Sequence, residues 1–199
     1  MKKVLLVGLL IIAILIAYVF ISNKKQIFSS ETDKRIENQV KNVKRLLNNS
    51  KYNKRIAFLI DMKIPSGKNR FFVYDLKENK IIDKGLVAHG SGSETGIIGK
   101  LKFSNVPNSL STSLGKYYIG NHYKGKFGKA YKLYGLDKTN NNAFKRDIVF
   151  HYYYDVPYKE KDGYICNSFG CPMVNQKYFE RIAKIIDSSE SDIIMSIYY

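Results

Sequence analysis

D-I-V-F-H at residues 147–151 is followed, after a polar stretch, by S-F-G-C-P-M-V at residues 168–174. The first segment is a short apolar run rich in strand formers, Ile148 to Phe150, so it reads as a strand that ends on His151. The second sets Cys171 directly after Gly170, and glycine admits the open or left-handed backbone of a tight turn. Pro172 fixes the following dihedral and offers no competing N–H. An imidazole on a strand and a thiol on a glycine turn are the parts of a cysteine nucleophile with a histidine base. The N–H groups of Gly170 and Cys171 are candidate donors to a developing oxyanion. Either residue alone has a plainer reading: a strand-end histidine is usually structural, and a cysteine is usually a core residue or a disulfide partner. The pairing is what points to chemistry.

Outward from this pair, period-two segments dominate. Strands are predicted over 56–60, 71–76, 81–88, 115–120, 130–136, 147–151 and 192–198, with turn chemistry at P-S-G (65–67) and K-E-N-K (77–80). Y-K-G-K-F-G (123–128) reads as a basic, aromatic hairpin. Two segments carry helical spacing instead. Residues 29–50 place Ile36, Val40, Val43 and Leu47 on one stripe, with Ser30 and Asp33 as a capping pattern, and residues 176–187 align Phe179, Ile182, Ala183 and Ile186. About eight short strands with two helices imply a mainly β (α+β) domain with peripheral helices.

The 199-residue chain has room for one well-buried domain and a short appendage. Lys2 and Lys3 precede an uncharged apolar run, Leu5 to Ile21, and Lys24 and Lys25 follow it. This is the pattern of an export signal or a membrane anchor, near the short end of a spanning length. No small-x-small cleavage site stands out, so an uncleaved anchor is expected ahead of a cleaved signal. The expected division is an N-terminal segment at 1–23, a helical stalk at 24–53 and a catalytic domain at 54–199. Thirty-three basic against 17 acidic residues give a net charge of +16, which implies anionic surroundings. Export turns that charge from nucleic acid towards lipid and envelope polyanions, so no nucleic-acid partner is expected. In an exported chain Cys166 and Cys171 have a disulfide as the plain reading, and a reduced Cys171 as the reactive one.

Other chemistries find less support. Three histidines and two cysteines lack C-x-x-C or H-E-x-x-H spacing, so neither a metal nor another cofactor is expected. There is no G-x-S-x-G for a serine hydrolase. H-G-S-G-S-E-T-G (89–96) has the composition of a phosphate loop without its lysine spacing or following helix.

Taken in order, these segments resemble the YkuD-like L,D-transpeptidases, and in particular the murein L,D-transpeptidase catalytic domain family. The resemblance runs through I-D-M-K-I-P-S (60–66), R-F-F-V-Y-D-L (70–76), V-A-H-G-S-G-S (87–93), F-S-N-V-P (103–107), S-L-G-K-Y (113–117), Y-K-G-K-F-G (123–128), L-Y-G-L-D (133–137), R-D-I-V-F-H (146–151) and S-F-G-C-P (168–172). It implies a β-sandwich or barrel-like domain in which Cys171 is the nucleophile, His151 its base, and Ser168 and Gly170 members of the catalytic motif. His89, Ser104, Asn105, Tyr123, Arg146 and Phe169 are then candidate substrate contacts. The implied substrate is the peptidoglycan stem peptide, whose carboxylates make Lys124, Lys126 and Arg146 candidate electrostatic partners. Transpeptidation through a thioester is the expected reaction. L,D-carboxypeptidase trimming is the alternative, and a non-catalytic envelope-binding protein is the reading from another class. The chain departs from the family pattern in three places. Phe169 stands where many members have a second histidine, Pro172-Met173 where an arginine is common, and Tyr152 where a small residue usually follows the histidine.

Overall fold

A computed structural model describes residues 2–48 and 50–199; the side chains of residues 2–10, 13, 24, 25, 27 and 28 lie outside that description. The elements in order are α1 (Lys2–Leu47), β1 (Ile56–Asp61), β2 (Phe71–Asp75), β3 (Lys80–Gly85), β4 (Val87–Ala88), a 3-10 turn (Ser91–Ser93), β5 (Gly115–Gly125), β6 (Gly128–Gly135), β7 (Val149–Tyr152), β8 (Met173–Val174), α2 (Gln176–Asp187) and β9 (Ile194–Tyr198). The mainly β expectation agrees with this architecture. The predicted helix start near Ser30 does not: α1 begins at Lys2 and passes through that position, because no proline and only Gly8 interrupts the sequence before residue 65. The chain separates into two compact units, 1–38 and 39–199.

In the second unit, nine strands form one mixed sheet in the order β3-β2-β1-β9-β5-β6-β7-β8-β4. Only Leu86 separates β3 at one edge from β4 at the other. A sheet whose two edges are joined by one residue must curl, which gives the barrel-like form. The expected single strand over 81–88 is therefore two strands, divided where the chain passes over the Tyr178 ring; a Cβ on Gly85 would sit 2.5 Å from that ring. Inside the curl, Phe58, Phe71, Tyr117, Tyr131 and Phe150 pack with Tyr178, Phe179 and Ile182 of α2. Asn175 caps α2, accepting from the Lys177 N–H. β1 and β9 pair in parallel and are buried on both faces, in keeping with sequences that are apolar but for Asp61 and Ser196. On the outer face the Ser196 hydroxyl donates to Gln39 Oε1 at 3.3 Å, and Val40, Val43 and Leu47 are buried along the end of α1.

Candidate active site

β7 is the strand that carries the histidine. It pairs with β6 on one side, His151 opposite Ala130, and with the two-residue β8 on the other, His151 beside Met173. Because β8 starts two residues after Cys171, the ladder brings thiol and imidazole to the wall of one cavity of about 310 Å³. The His151 Nδ1 lies 2.9 Å from the Tyr152 carbonyl oxygen. A carbonyl only accepts, so Nδ1 carries the proton and Nε2 keeps its lone pair. Burial lowers the His151 pKa and the Tyr152 hydrogen bond partly opposes that. The imidazole is therefore a neutral base at neutral pH.

The sulfur is held by backbone. Asp147 adopts a left-handed conformation, φ 53°, and its carbonyl accepts from Cys171 Sγ at 3.6 Å, while the Val149 N–H donates to Sγ at 3.4 Å. Burial pushes the thiol pKa up and Asp147 adds to this; the Val149 N–H and the Arg146 charge pull it down. Thiol and imidazole thus rest as a neutral pair, which suits proton transfer during attack better than a standing ion pair. Cys166 and Cys171 are both free thiols, at the fringe of a small apolar cluster around Leu86, Val156 and Met173.

Gly170 has φ 121°, and a Cβ there would meet Ile148 Cδ1 and Ser111 O at 3.0 Å. Its N–H donates to Ser168 Oγ at 3.0 Å, so it is committed within the turn rather than free for an oxyanion. Among the described residues nothing accepts from the Cys171 N–H, which leaves that group as the oxyanion donor the turn offers. Ser168 is buried and shapes this turn; it makes no hydrogen bond to His151. Its backbone pairs with His89 and Ser91, at 2.8 Å each. The H-G-S-G segment is thus the floor under the 168–171 loop. A Cβ on Gly90 would fall 2.1 Å from Leu110 O and 2.9 Å from Gly170 Cα, so the glycines there serve close backbone packing.

Of the candidate substrate contacts, Tyr123 and Phe169 line the cavity, Phe169 being 79% exposed. The other four do not. His89 is fully buried on the far side of the floor: Arg70 Nη2 donates to its Nδ1 at 2.8 Å, and its Nε2–H donates to Glu94 Oε1 at 2.7 Å. Asn105 ties its loop to the turn after β6, through Lys138 O, Asn141 and Asn142. Ser104 and Arg146 belong together. The Arg146 guanidinium donates to Ser104 O, Ser113 Oγ, Ser109 Oγ and Ser111 O at 2.6–3.3 Å, making it a strut for the 104–113 loop beside the thiol. Lys126 lines the cavity and Lys124 does not.

Sequence reasoning missed three features. Tyr152 contributes its carbonyl, for which no side-chain signal exists. β8 is too short for periodicity to register. Phe127, at the tip of the β5–β6 hairpin, stacks on the His151 ring with centroids 5.4 Å apart and planes 13° apart. The K-F pair set between Gly125 and Gly128 was the available sign, since a residue at a hairpin tip reaches whatever lies across the sheet end. The described residues contain no cluster of histidine, cysteine and carboxylate groups fit to hold a metal.

No curated protein matches the chain. Solved structures are similar in outline. They include a single-residue variant of the helical cell shape determining protein Pgp2 from Campylobacter jejuni (16% identity, TM-score 0.46, covering 73% of this chain and 48% of that one). Bd1075 from Bdellovibrio bacteriovorus has 16% identity, TM-score 0.44, and coverage of 73% and 48%. An L,D-transpeptidase from Xylanimonas cellulosilytica has 11% identity, TM-score 0.38, and coverage of 75% and 63%. This chain spans about half the length of the first two. The family described as "L,D-transpeptidase catalytic domain" matches residues 29–195, a stretch that takes in β1 to β8, the start of β9, and both His151 and Cys171, and the chain belongs to that family.

Proposed function

We propose that the chain is a cysteine-dependent L,D-transpeptidase acting on peptidoglycan stem peptides. The observation that carries this reading is the neutral pair on one cavity wall: a thiol held by Asp147 O and the Val149 N–H, and an imidazole whose Nδ1–H is fixed on Tyr152 O. Cys171 Sγ attacks the carbonyl between the diamino acid and the terminal D-alanine of a tetrapeptide stem. Its proton passes to His151 Nε2, and the Cys171 N–H meets the oxyanion. Collapse breaks the C–N bond, the leaving amine takes the proton from His151, and a thioester remains. An acceptor amine then attacks the thioester, gives its proton to His151, and releases the free thiol with a new amide. Water in place of the amine gives carboxypeptidase trimming.

The test is incubation of the chain with a disaccharide tetrapeptide, read by mass spectrometry. A cross-linked dimer supports transpeptidation, and tripeptide with free D-alanine supports trimming instead. No product that disappears in Cys171→Ala overturns both and leaves a binding protein.

We also place the domain on the outer side of a membrane, with residues 4–21 as its anchor. The support is the sequence run after Lys2 and Lys3, together with the exposure of Ile16, Phe20 and Ile21 along α1. Among the described residues no helix is long and apolar enough to cross a membrane, and the side chains of residues 4–10 and 13 of the run lie outside them. Carbonate extraction of membranes from expressing cells decides it: an anchored chain stays in the pellet, and release to the supernatant refutes the anchor.

A further inference from the structure

The cavity beside Cys171 is walled by apolar and aromatic groups, among them Tyr123, Phe127, Tyr153, Phe169 and Met173, and no carboxylate lines it. It has one cationic side chain, Lys126. Lys126 and Phe127 form the two-residue tip between Gly125 and Gly128, which are paired in the hairpin. Gly128 has φ 90°, and a Cβ there would stand 2.9 Å from the Tyr152 hydroxyl, so the tip is seated against the strand that bears the base. Phe127 stacks on His151 and meets Tyr153 edge-on, with centroids 5.4 Å apart in both contacts. The Lys126 ammonium stands 5.6 Å from the Phe127 ring centroid. The Phe127 ring is thus the shared neighbour of the imidazole and the ammonium. Among the described residues no acidic partner neutralises Lys126. The other cation near the thiol, Arg146, has its donors turned into the 104–113 loop.

We propose that Lys126 is the carboxylate-reading residue for the acyl donor, so that the hairpin tip selects peptides ending in a free D-amino acid. This rests on the transpeptidase reading above. Geometry ties the two. The leaving nitrogen has to come within about 3 Å of the imidazole nitrogen to be protonated. In a C-terminal amino acid, the carboxylate is attached one carbon from that nitrogen. It therefore falls over the edge of the Phe127 ring, where the flexible Lys126 stem delivers its charge. An apolar wall behind a single ammonium strengthens that attraction, because little water competes there. An amidated C-terminus, or a stem already extended by a further residue, brings no charge to that place.

The test uses the full chain with Cys171→Ala and a tetrapeptide stem, either as the free acid or as its C-terminal amide, with affinities from calorimetry. The free acid binds about tenfold or more tightly than the amide. With Lys126→Ala added, the two ligands come within about twofold of each other, and Lys126→Arg retains the preference for the acid. A preference that survives Lys126→Ala, no preference in the parent, or no binding of either ligand each overturns the proposal. Turnover by the unmutated chain is scored separately. Cys171-dependent product without a carboxylate preference rejects the Lys126 assignment alone, whereas a carboxylate preference without product rejects the catalytic reading and keeps the binding site.

Discussion

His151 Nδ1 and the carbonyl of Tyr152, its own neighbour in the chain, are 2.9 Å apart. A base that is oriented by the backbone of the next residue needs no aspartate, and any residue at 152 can supply the carbonyl. This explains how tyrosine is accommodated at a position where the family pattern has something small. Its ring is turned away to pack on Phe179, with centroids 5.6 Å apart.

The pH dependence follows from the two shifts. Burial lowers the His151 pKa and raises that of Cys171. Turnover needs the neutral pair, which gains a proton on His151 in acid and loses the thiol proton in alkali. The acid limb of kcat/KM against pH is expected below the ordinary histidine value of about 6.5 and the alkaline limb above the ordinary thiol value of about 8.5. A limb inside that window shows that burial does not move the two groups in these directions.

Asp147 is expected to tolerate Asn or Gly and to resist Val. Its φ of 53° is one that Asp, Asn and Gly adopt and a β-branched residue does not. Asp147→Val should cost about 1–3 kcal/mol, measured by urea unfolding. It should also change the alkylation rate of Cys171, because the carbonyl that accepts from Sγ moves with the backbone. A substitution that leaves both measurements unaltered means that the turn does not hold the sulfur.

The hydrophobic alternation and the glycine turn made β1, β2, β6, β7 and the thiol–imidazole pair legible in the sequence, since each is written in local residue types. The 3.6 period likewise matched α2 at both ends. What the sequence could not display was pairing across the sheet. Leu86 separates two strands on opposite edges, which no local pattern distinguishes from one strand with a bend. His89, Asn105 and Arg146 are polar residues in loops, which is what a substrate contact looks like before it is known that Arg70, the 138–142 turn and the 104–113 loop occupy them. Lys124 and Lys126 are equivalent as residue types. The hairpin register alone separates them.

His89 belongs to stability. Replacing it with Leu removes one acceptor of the buried Arg70 guanidinium, which keeps the Val87 and Ile64 carbonyls, and takes from Glu94 its 2.7 Å donor, a loss of about 1–3 kcal/mol in unfolding free energy. Burial, then the Arg70 charge, lower the His89 pKa against the opposing pull of Glu94. With the folded value below the unfolded one, the unfolded chain binds more protons as pH falls beneath about 6.5. This part of the stability is present at neutral pH and is lost on acidification. Both the loss at neutral pH and a flatter acid slope are expected in His89→Leu, while KM for the tetrapeptide stays within about twofold because His89 does not line the cavity. A large rise in KM would return His89 to the substrate.

Arg146 does two things that separate variants can divide. Its charge favours the Cys171 thiolate, and its planar fork fastens the 104–113 loop through four acceptors. Arg146→Gln removes the charge, so the thiol pKa rises further and the pH midpoint of iodoacetamide alkylation at Cys171 moves up. Arg146→Lys keeps a charge near the sulfur and restores most of that midpoint, but one ammonium cannot reproduce the fork. Amide hydrogen exchange over residues 104–113 should therefore accelerate in both variants, by about tenfold where a hydrogen bond worth about 1.4 kcal/mol to local opening is lost. Turnover should follow the loop and not the charge alone, since Gly170, the residue before Cys171, sits against Ser111. If Arg146→Lys recovers full turnover with the loop still loosened, the guanidinium acts on the thiol by charge and its grip on the loop is incidental to catalysis.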